Sequence, residues 1–316
     1  MSTDINERRD ELMFDTLVND GTAATMPTSI PRSIPHPLEE NDSLEGIFDQ
    51  YTVVDELTTT TQSRVYRGKN KEGEQVVIKE FLQNHRSRAF EREKFADELF
   101  LKRGQHSQII PAQEFFIKNG GHYGIFPYVE GKNLQEVLIK EGFLTEKEIL
   151  PLVSTLCDVV DYLHSLNLIH RDIKPANIII PQSASDLTPK VFDFGLAWHP
   201  DIAHLDKPET YYSTPSYMAP EKWKLPPTNP QEDIYAIVVT AFELLYGTVP
   251  FPVDNIHELA IIHAAKIPIP DLTQCNPWVP DEVRAVIYKG LSYDPTQRYQ
   301  TAGEFKTAYL EAVGKK

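Results

Sequence analysis

Two short motifs in the middle of the chain place charged and amide side chains beside apolar runs typical of strands. The first is His170-Arg-Asp-Ile-Lys-Pro-Ala-Asn177, and the second is Val191-Phe-Asp-Phe-Gly195. Asn177 and Asp193 carry the hard oxygen ligands that Mg²⁺ prefers in proteins. A lone Asp or Asn in either place could simply cap a turn. Two compact motifs of this kind carry more weight than either residue alone.

These motifs resemble the protein kinase family, whose pattern is H-R-D-x-K-x-x-N followed by D-F-G. Phosphoryl transfer requires a positioned nucleophile and neutralisation of developing negative charge, more than covalent chemistry. The resemblance implies that Asp172 orients the substrate hydroxyl and accepts its proton, and that Lys174 contacts the transferred phosphate. It also implies that ATP is the phosphate donor and that Asn177 and Asp193 bind Mg²⁺, with Mn²⁺ as the alternative ion.

A lysine earlier in the chain resembles the family's phosphate-binding lysine. Lys79 ends the β-branched run Val76-Val-Ile-Lys79 and would hold the α- and β-phosphates of ATP, although alone it could be an ordinary edge-strand lysine. Its expected partner is Glu98, because Phe95-Ala-Asp-Glu98 fits the family pattern F-x-x-E and Glu98 lies 19 residues after Lys79, a spacing typical of the family. Glu91 and Glu93 are the alternatives on the same charged helix.

The segment Tyr123-Gly-Ile-Phe-Pro-Tyr-Val-Glu-Gly131 resembles the linker between the two kinase lobes. The resemblance implies that Phe126 is the gatekeeper, and that adenine pairs with the Pro127 carbonyl and the Val129 amide. Proline is tolerated at this position because the role needs only its C=O. By the same resemblance, the other residues expected to bind ATP are Leu57, Val65 and Ile78.

The segment Ser213-Thr-Pro-Ser-Tyr-Met-Ala-Pro-Glu221 resembles the end of a kinase activation segment. Thr214 would contact Asp172 and Lys174 and help to select Ser/Thr substrates. Arg171 precedes the catalytic aspartate, and such an arginine can pair with a phosphate on the activation segment. The candidate acceptors are Thr210 first, and then Tyr211, Tyr212 and Ser213.

Three further residues are implied to be structural. Glu221 would form a buried ion pair with Arg298, and Asp233 would anchor the backbone of the catalytic loop. The resemblance runs from about Tyr51 to Val313. The ending Arg298-Tyr-Gln-Thr-Ala-Gly-Glu-Phe is especially similar to bacterial members of the family.

The phosphate-covering loop departs from the family pattern G-x-G-x-x-G-x-V. Aligned on Val65, the three glycine positions are Thr58, Thr60 and Ser63. Glycine lets backbone N–H groups approach phosphates closely, whereas threonine is stiff and favours strands. We therefore expect weaker nucleotide binding or slower turnover than a glycine-rich loop gives.

Three functions remain open on these residues. The leading one is an active serine/threonine protein kinase that also phosphorylates itself through transient self-association. The first alternative is a pseudokinase that acts as a binding or scaffolding module, which the threonine-rich loop favours. The second is a small-molecule kinase of the aminoglycoside type. Kinases of that type have nothing that resembles the Ala219-Pro-Glu221 segment or the region of Arg298 in this chain.

The elements around these motifs predict an α+β fold with two lobes. From Tyr51 onward, short β-branched runs separated by turn residues predict antiparallel strands, and Asn119-Gly120-Gly121 predicts a hairpin. These strands and one charged helix make a small β-rich N-lobe at 49–130, followed by a larger helical C-lobe at 131–314. The predicted helices cover 86–103, 146–166, 231–246, 255–265, 281–291 and 301–313.

Composition sets residues 1–48 apart as a predicted disordered tail. The first 50 residues hold 11 acidic and three basic side chains, and the stretch 21–37 is rich in Thr, Ser and Pro. The whole chain has a formal net charge of −15, of which this region supplies more than half. A chain this acidic is not expected to bind nucleic acid or an anionic membrane surface. Two distant cysteines, Cys157 and Cys275, favour a reducing, cytoplasmic compartment.

Overall fold

The N-terminal lobe is an antiparallel sheet that carries one helix. The computed structural model describes residues 37–82, 86–182, 188–206, 214–223, 229–253, 255–271 and 276–314. Within these ranges the sheet has the strand order β1-β2-β3-β4-β6-β5. Its elements are β1 (Ser43–Glu45), β2 (Gln50–Thr59), β3 (Ser63–Lys69), β4 (Gln75–Phe81), α1 (Arg86–Arg103), β5 (Glu114–Lys118) and β6 (Gly121–Pro127).

Strand alternation decides which side chains of β4 face the core. Val76 and Ile78 are buried among the aromatic and aliphatic side chains of the lobe. Successive residues of a strand point to opposite faces, so Val77 and Lys79 lie on the other face. Val65 pairs with Lys79 across β3 and β4 and therefore shares that face. The face that carries Lys79 is the one on which the candidate site is built.

The strand predictions are confirmed, while the predicted end of the tail is wrong. β5 and β6 form the expected hairpin, with Asn119 and Gly120 both at positive φ. The sheet, however, starts at β1, which pairs with β2. Leu44 of β1 is buried in the core of the lobe. The lobe therefore begins before residue 49. The prediction failed because the surrounding residues are acidic and Leu44 is the one buried side chain of β1. Residues 1–36 lie outside the described residues.

The C-terminal lobe is mainly helical and packs around one central helix. Every residue of α4 from Glu232 to Tyr246 is buried, because other elements cover the helix on all sides. The apolar stripe predicted for 146–166 is likewise buried, from Ile149 to Leu163. The helices are α2 (Leu134–Glu141), α3 (Ile149–Ser165), α4 (Gln231–Tyr246), α5 (Ile256–Ala264), α6 (Asp281–Gly290) and α7 (Ala302–Gly314).

The five helices predicted for this lobe are confirmed to within a few residues at each end. α2 was not predicted, because eight residues are too few to establish a period; a capping box between Asn133 and Glu136 stabilises its start. Among the described residues, every helix is too short or too polar to cross a bilayer.

A small antiparallel sheet in this lobe brings the two sequence motifs together. It consists of β7 (Gly131–Asn133), β8 (Ile178–Pro181) and β9 (Lys190–Val191). Asn177 directly precedes β8, and Asp193 follows β9 by two residues. Ile178 pairs with Val191, and the Phe192 N–H donates to the Asn177 carbonyl at 3.2 Å. The pairing of β8 with β9 therefore places Asn177 and Asp193 at the same end of the sheet.

Candidate active site

Lys79 connects three elements through two carboxylates. Its Nζ contacts Glu93 Oε1 of α1, and it lies 2.9 Å from Asp193 Oδ1, beyond β9. All three side chains are buried or half-buried, and Glu93 is only 2% exposed. A Cβ at Gly195 would lie 3.2 Å from both Asp193 Oδ1 and Glu93 Oε1, so glycine leaves room for this cluster.

The expected pairing of Lys79 with Glu98 is wrong, and Glu93 takes that place. Glu98 is exposed on α1. An α-helix has 3.6 residues per turn, so five residues rotate a side chain by about 140° away from its starting direction. Glu93 lies between the buried residues Phe90 and Ala96, three residues from each. That apolar stripe was the signal that identifies Glu93 from sequence.

The charges in this cluster are fixed by their mutual contacts. Burial opposes the positive charge of Lys79, but Asp193 and Glu93 outweigh it and hold the lysine pKa above its ordinary value. Burial also opposes ionisation of Asp193, yet the charge of Lys79 holds its pKa well below the usual range. Burial raises the pKa of the Glu93 carboxyl. Lys79 is thus cationic and Asp193 anionic at neutral pH, which suits a phosphate and a metal ion respectively.

A second cluster surrounds Asp172 in the loop between α3 and β8. Lys174 Nζ lies 2.9 Å from Asp172 Oδ2 and donates to Thr214 Oγ1 at 2.8 Å. Asn177 Nδ2 donates to Asp172 Oδ2 and to the Asp172 carbonyl, both at 2.9 Å. The structure brings these four predicted residues together, and Thr214 reaches Asp172 through Lys174.

A buried aspartate holds the backbone of this loop. The carboxylate of Asp233, at the start of α4, accepts hydrogen bonds from the N–H groups of His170 and Arg171, each at 2.8 Å. Its Oδ2 also lies 3.0 Å from His164 Nε2. Arg171 has φ of 67°, a left-handed conformation that costs energy in a non-glycine residue. The hydrogen bonds to Asp233 offset that strain and fix the direction of the loop.

The ion pair expected between Glu221 and Arg298 lies beneath the site. Arg298 Nη1 and Nη2 each donate to one carboxylate oxygen of Glu221 at 2.7 Å. The Arg298 side chain is 0% exposed, and its guanidinium carbon lies 4.7 Å from the centroid of the Tyr235 ring. This two-bond geometry matches the planar guanidinium to the carboxylate and links the segment that ends at Glu221 to the residues between α6 and α7.

An aromatic contact that the sequence reasoning missed joins α1 to the two motifs. The ring centroid of Phe194 lies 5.1 Å from that of Phe100 on α1 and 4.8 Å from that of His170. Phe194 is therefore packed between α1 and the loop that joins α3 to β8. The contact keeps Glu93 and Asp193 on the same side of the cleft, where Lys79 reaches both.

Most of the residues predicted to surround the adenine are at least partly exposed, and one is fully buried. Val65, Phe126, Pro127 and Val129 are half-buried along the end of β6 and the adjoining strands, and Leu57 is exposed on β2. Ile78 was predicted to bind ATP, and this is wrong. It is 0% exposed inside the lobe core, on the face of β4 opposite Lys79.

Val77 lies where the prediction placed Ile78. It pairs with Phe126 across β4 and β6, and Lys79 lies two residues further along the same strand. Residues two apart in a strand share a face. Counting back two residues from Lys79 would therefore have identified Val77 from the sequence alone.

The turn between β2 and β3 is closed by a threonine hydroxyl. Thr60 Oγ1 accepts hydrogen bonds from the backbone N–H groups of Gln62 at 3.1 Å and Ser63 at 3.0 Å. The Thr60 N–H in turn donates to the Ser63 carbonyl at 2.8 Å. Successive backbone N–H groups of this kind are suited to bind anions. Here the side chain of Thr60 occupies them.

The residues at the ends of β8 and β9 fit a nucleotide-bound magnesium ion. Both Asn177 contacts to Asp172 use the amide nitrogen, which leaves the amide oxygen and a carboxylate oxygen of Asp193 as hard ligands. No cluster of three or more His, Cys, Asp or Glu side chains able to hold a metal occurs in the described part of the chain. Mg²⁺ typically binds one or two protein ligands together with substrate phosphates, so this donor set fits the ion with ATP.

Of the predicted activation-segment residues, Arg171 and Thr214 are placed as described. Thr210, Tyr211, Tyr212 and Ser213 lie outside the described residues.

Cys157 is buried, and burial raises the pKa of its thiol. That thiol is therefore a packing group and not a nucleophile.

Comparisons with known proteins agree with this geometry. The model of the protein kinase domain family matches residues 51–310. The chain is 28% identical over 266 residues to the probable serine/threonine-protein kinase PknB of Lactococcus lactis, covering 82% of this chain and 41% of that protein. It is 30% identical over 208 residues to the serine/threonine-protein kinase PrkC of Bacillus subtilis, covering 65% and 32%. It is 32% identical over 188 residues to the serine/threonine-protein kinase PknB of Mycobacterium tuberculosis, covering 58% and 29%. The matched region is less than half the length of each of these relatives.

Proposed function

The chain belongs to the protein kinase family, and from that premise we propose that it transfers the γ-phosphate of Mg-ATP to Ser and Thr hydroxyls of proteins. The observation that supports this most is the contact of Lys79 with both Glu93 and Asp193. This contact joins the nucleotide-binding lobe to the metal-binding motif. Phosphoryl transfer depends mainly on such positioning and on fixed charge.

Each residue has a distinct part in the proposed reaction. Asp172 orients the acceptor hydroxyl and takes its proton as the oxygen attacks phosphorus, while the bond to the β-phosphate oxygen breaks and ADP leaves. Lys174, held between Asp172 and Thr214, stabilises the charge of the transferred group. Lys79 holds the nucleotide phosphates. Mg²⁺ bound with ATP would neutralise phosphate charge beside Asn177 and Asp193.

The identity of the phosphorylated product tests this proposal. The full chain is incubated with Mg-[γ-³²P]ATP and two test proteins, one basic and one acidic, and the labelled products are hydrolysed for phosphoamino-acid analysis. We expect label on phosphoserine or phosphothreonine, and none with the Asp172→Ala variant. Label on phosphotyrosine would contradict the proposal, and so would label on an aminoglycoside, added in a parallel reaction, with none on either protein. Autophosphorylation through transient self-association and a cytoplasmic location belong to the same proposal.

The alternative is a pseudokinase that binds partners without transferring phosphate. The hydrogen bonds of Thr60 to the N–H groups of Gln62 and Ser63 favour it, because they occupy donors that would otherwise face the nucleotide. The charged cluster at Lys79 and the intact set around Asp172 favour catalysis. Binding of Mg-ATP with no transfer to any protein would decide for the pseudokinase.

A further inference from the structure

Asp206, in the activation segment between Asp193 and Glu221, holds two arginines that come from different parts of the site. Asp206 Oδ1 accepts from Arg92 Nη2 of α1 at 2.7 Å and from Arg171 Nη1 at 3.0 Å. Asp206 Oδ2 accepts from Arg171 Nη2 at 2.8 Å. Arg92 Nη2 also donates to the Leu205 carbonyl at 3.2 Å. One short segment therefore contacts both α1 and the catalytic loop.

The two arginines are immediate neighbours of the catalytic machinery. Arg92 precedes Glu93, which contacts Lys79, and Arg171 precedes Asp172. α1 and the catalytic loop belong to different lobes. The carboxylate of Asp206 thus links the lysine cluster to the proposed base through one ionic contact on each side.

The arrangement depends on a negative charge between the arginines. The Arg92 and Arg171 side chains are only 3% and 5% exposed, so water does little to screen the repulsion between their positive charges. Burial lowers the pKa of Arg92, and the charge of Arg171 adds to this. Burial opposes ionisation of Asp206 as well, but its hydrogen bonds and charge contacts with Arg171 and Arg92 outweigh it and lower its pKa. Asp206 is therefore ionised at neutral pH.

We propose that Asp206 is a positioning residue that holds α1 and the catalytic loop in register, in the place that a phosphate on the activation segment would otherwise fill. The inference rests on the proposed kinase function. The family resemblance implies that Arg171 can pair with a phosphate, yet both of its terminal nitrogens donate to Asp206. The site then needs no phosphorylation of Thr210 or its neighbours to be assembled.

The test uses the full chain freed of phosphate by a phosphatase and checked by intact mass. Steady-state kcat and KM for Mg-ATP are measured for wild type, Asp206→Asn, Asp206→Glu and Asp201→Asn. Asp201→Asn is the matched control, because this exposed aspartate lies on the same segment and touches neither arginine. We expect the unphosphorylated wild type to be active. We expect Asp206→Asn to lose about 10- to 100-fold in kcat and to raise KM for Mg-ATP, because the helix that Asp206 holds also carries Glu93. Asp206→Glu should recover part of the loss.

Wild-type kcat in Asp206→Asn would overturn the proposal. So would a phosphate-free wild type that gains activity only after a phosphate is added in 207–213. Amide hydrogen exchange in α1 and in 170–177 separates this inference from the proposed function, since it needs no catalysis. Faster exchange in Asp206→Asn than in wild type and Asp201→Asn supports the positioning role even if no variant transfers phosphate. Unchanged exchange overturns it.

Discussion

At the scale of single residues, the function depends on which glutamate holds Lys79. Glu93 is buried beside the lysine and Glu98 is exposed on the same helix. We expect Glu93→Gln to lower kcat by about 10- to 100-fold and to raise KM for Mg-ATP, because a neutral amide holds the Lys79 ammonium group less strongly than a carboxylate does. Initial rates of phosphate transfer at several ATP concentrations measure both effects.

Glu98→Gln is the matched control for this prediction. It makes the same chemical change five residues away and should leave both kinetic constants within about twofold of wild type. A larger loss in Glu98→Gln than in Glu93→Gln would show that the geometry of α1 described above is not the catalytic one.

The contacts between site residues were predictable from the sequence where a motif is compact. They were less predictable where the partner residue lies far along the chain. Asp172, Lys174 and Asn177 lie within six residues, so their contacts follow from one loop. The partner of Lys79 and the contacts of Asp206 depend instead on how α1 rotates and docks. Asp206 carried no signal of its own, because nothing near it in sequence indicates that two arginines will converge there.

At the scale of elements, the β2–β3 turn is predicted to limit nucleotide binding. Thr60→Ala removes the acceptor that occupies the Gln62 and Ser63 N–H groups, which then can donate to a phosphate. One such hydrogen bond contributes about 0.5–1.5 kcal/mol, so we expect the Kd for Mg-ATP to fall by about 2- to 10-fold. Calorimetric titration measures the Kd directly.

Thr61→Ala controls for the loss of a threonine from the same turn. Thr61 is exposed, and its removal should leave the Kd unchanged. Weaker binding in Thr60→Ala would mean that the closed turn itself is what organises the nucleotide site.

The contribution of the α1–β5 connection to folding stability is predicted to depend on pH through the carboxyl group of Asp97. Its carboxylate accepts the Ala112 N–H at 2.9 Å, and burial raises its pKa to about 6, with Glu98 adding to the rise and the Ala112 hydrogen bond opposing it. The folded state then binds more protons than the unfolded state between about pH 4 and 6. The contribution of Asp97 to stability therefore decreases as pH rises through that range.

Asp97→Asn keeps the hydrogen-bond acceptor and removes the charge. At pH 7.5 we expect it to raise the unfolding free energy by an amount on the order of 1 kcal/mol after allowing for solvent screening, and therefore to raise the melting temperature. At pH 4 the variant and wild type should melt alike. An equal difference at both pH values would contradict the account.

Elements with a long regular pattern were predictable, and short ones were not. The apolar stripe of α3 and the alternation of β4 each repeat several times, so they identify the element and its buried face. β1 has three residues and one buried side chain, and the turn that follows it is held by a residue far along the chain. The N–H groups of Ile47 and Phe48 donate to Glu114, at 2.7 and 3.1 Å, which no local pattern indicates.

At the scale of the whole molecule, the C-terminal lobe is predicted to depend on one buried ion pair. Arg298→Ala leaves the carboxylate of Glu221 without its two hydrogen bonds. Breaking a buried pair in this way costs about 3–5 kcal/mol, a large part of a total stability of about 5–15 kcal/mol. Denaturant unfolding followed by circular dichroism measures the loss.

Lys306→Ala is the comparison for a pair at the surface. Lys306 lies 2.7 Å from Asp158, and both side chains are partly exposed. Its removal should cost less than about 1 kcal/mol. Equal losses in the two variants would show that burial does not distinguish the pairs.

The two-lobed architecture was predictable because the hydrophobic period changes from two to 3.6 near residue 131. The family motifs then placed the cleft between the lobes. What the sequence could not provide was the set of contacts that cross from one lobe to the other: Lys79 with Asp193, Phe100 with Phe194, and Arg92 with Asp206. Each joins residues about a hundred positions apart, so only the folded chain defines it.

The most direct test of the account is the single-turnover rate of γ-phosphate transfer to a Ser/Thr test protein, measured for wild type and Asp172→Asn at saturating Mg-ATP. Asn keeps the shape of the side chain and loses its basicity. We predict measurable transfer by wild type and a rate about 10²–10⁴-fold lower in the variant, with a Kd for Mg-ATP that stays within about twofold. Equal rates in the two proteins, whether high or near zero, would contradict the claim that this site is a catalytic phosphotransfer centre.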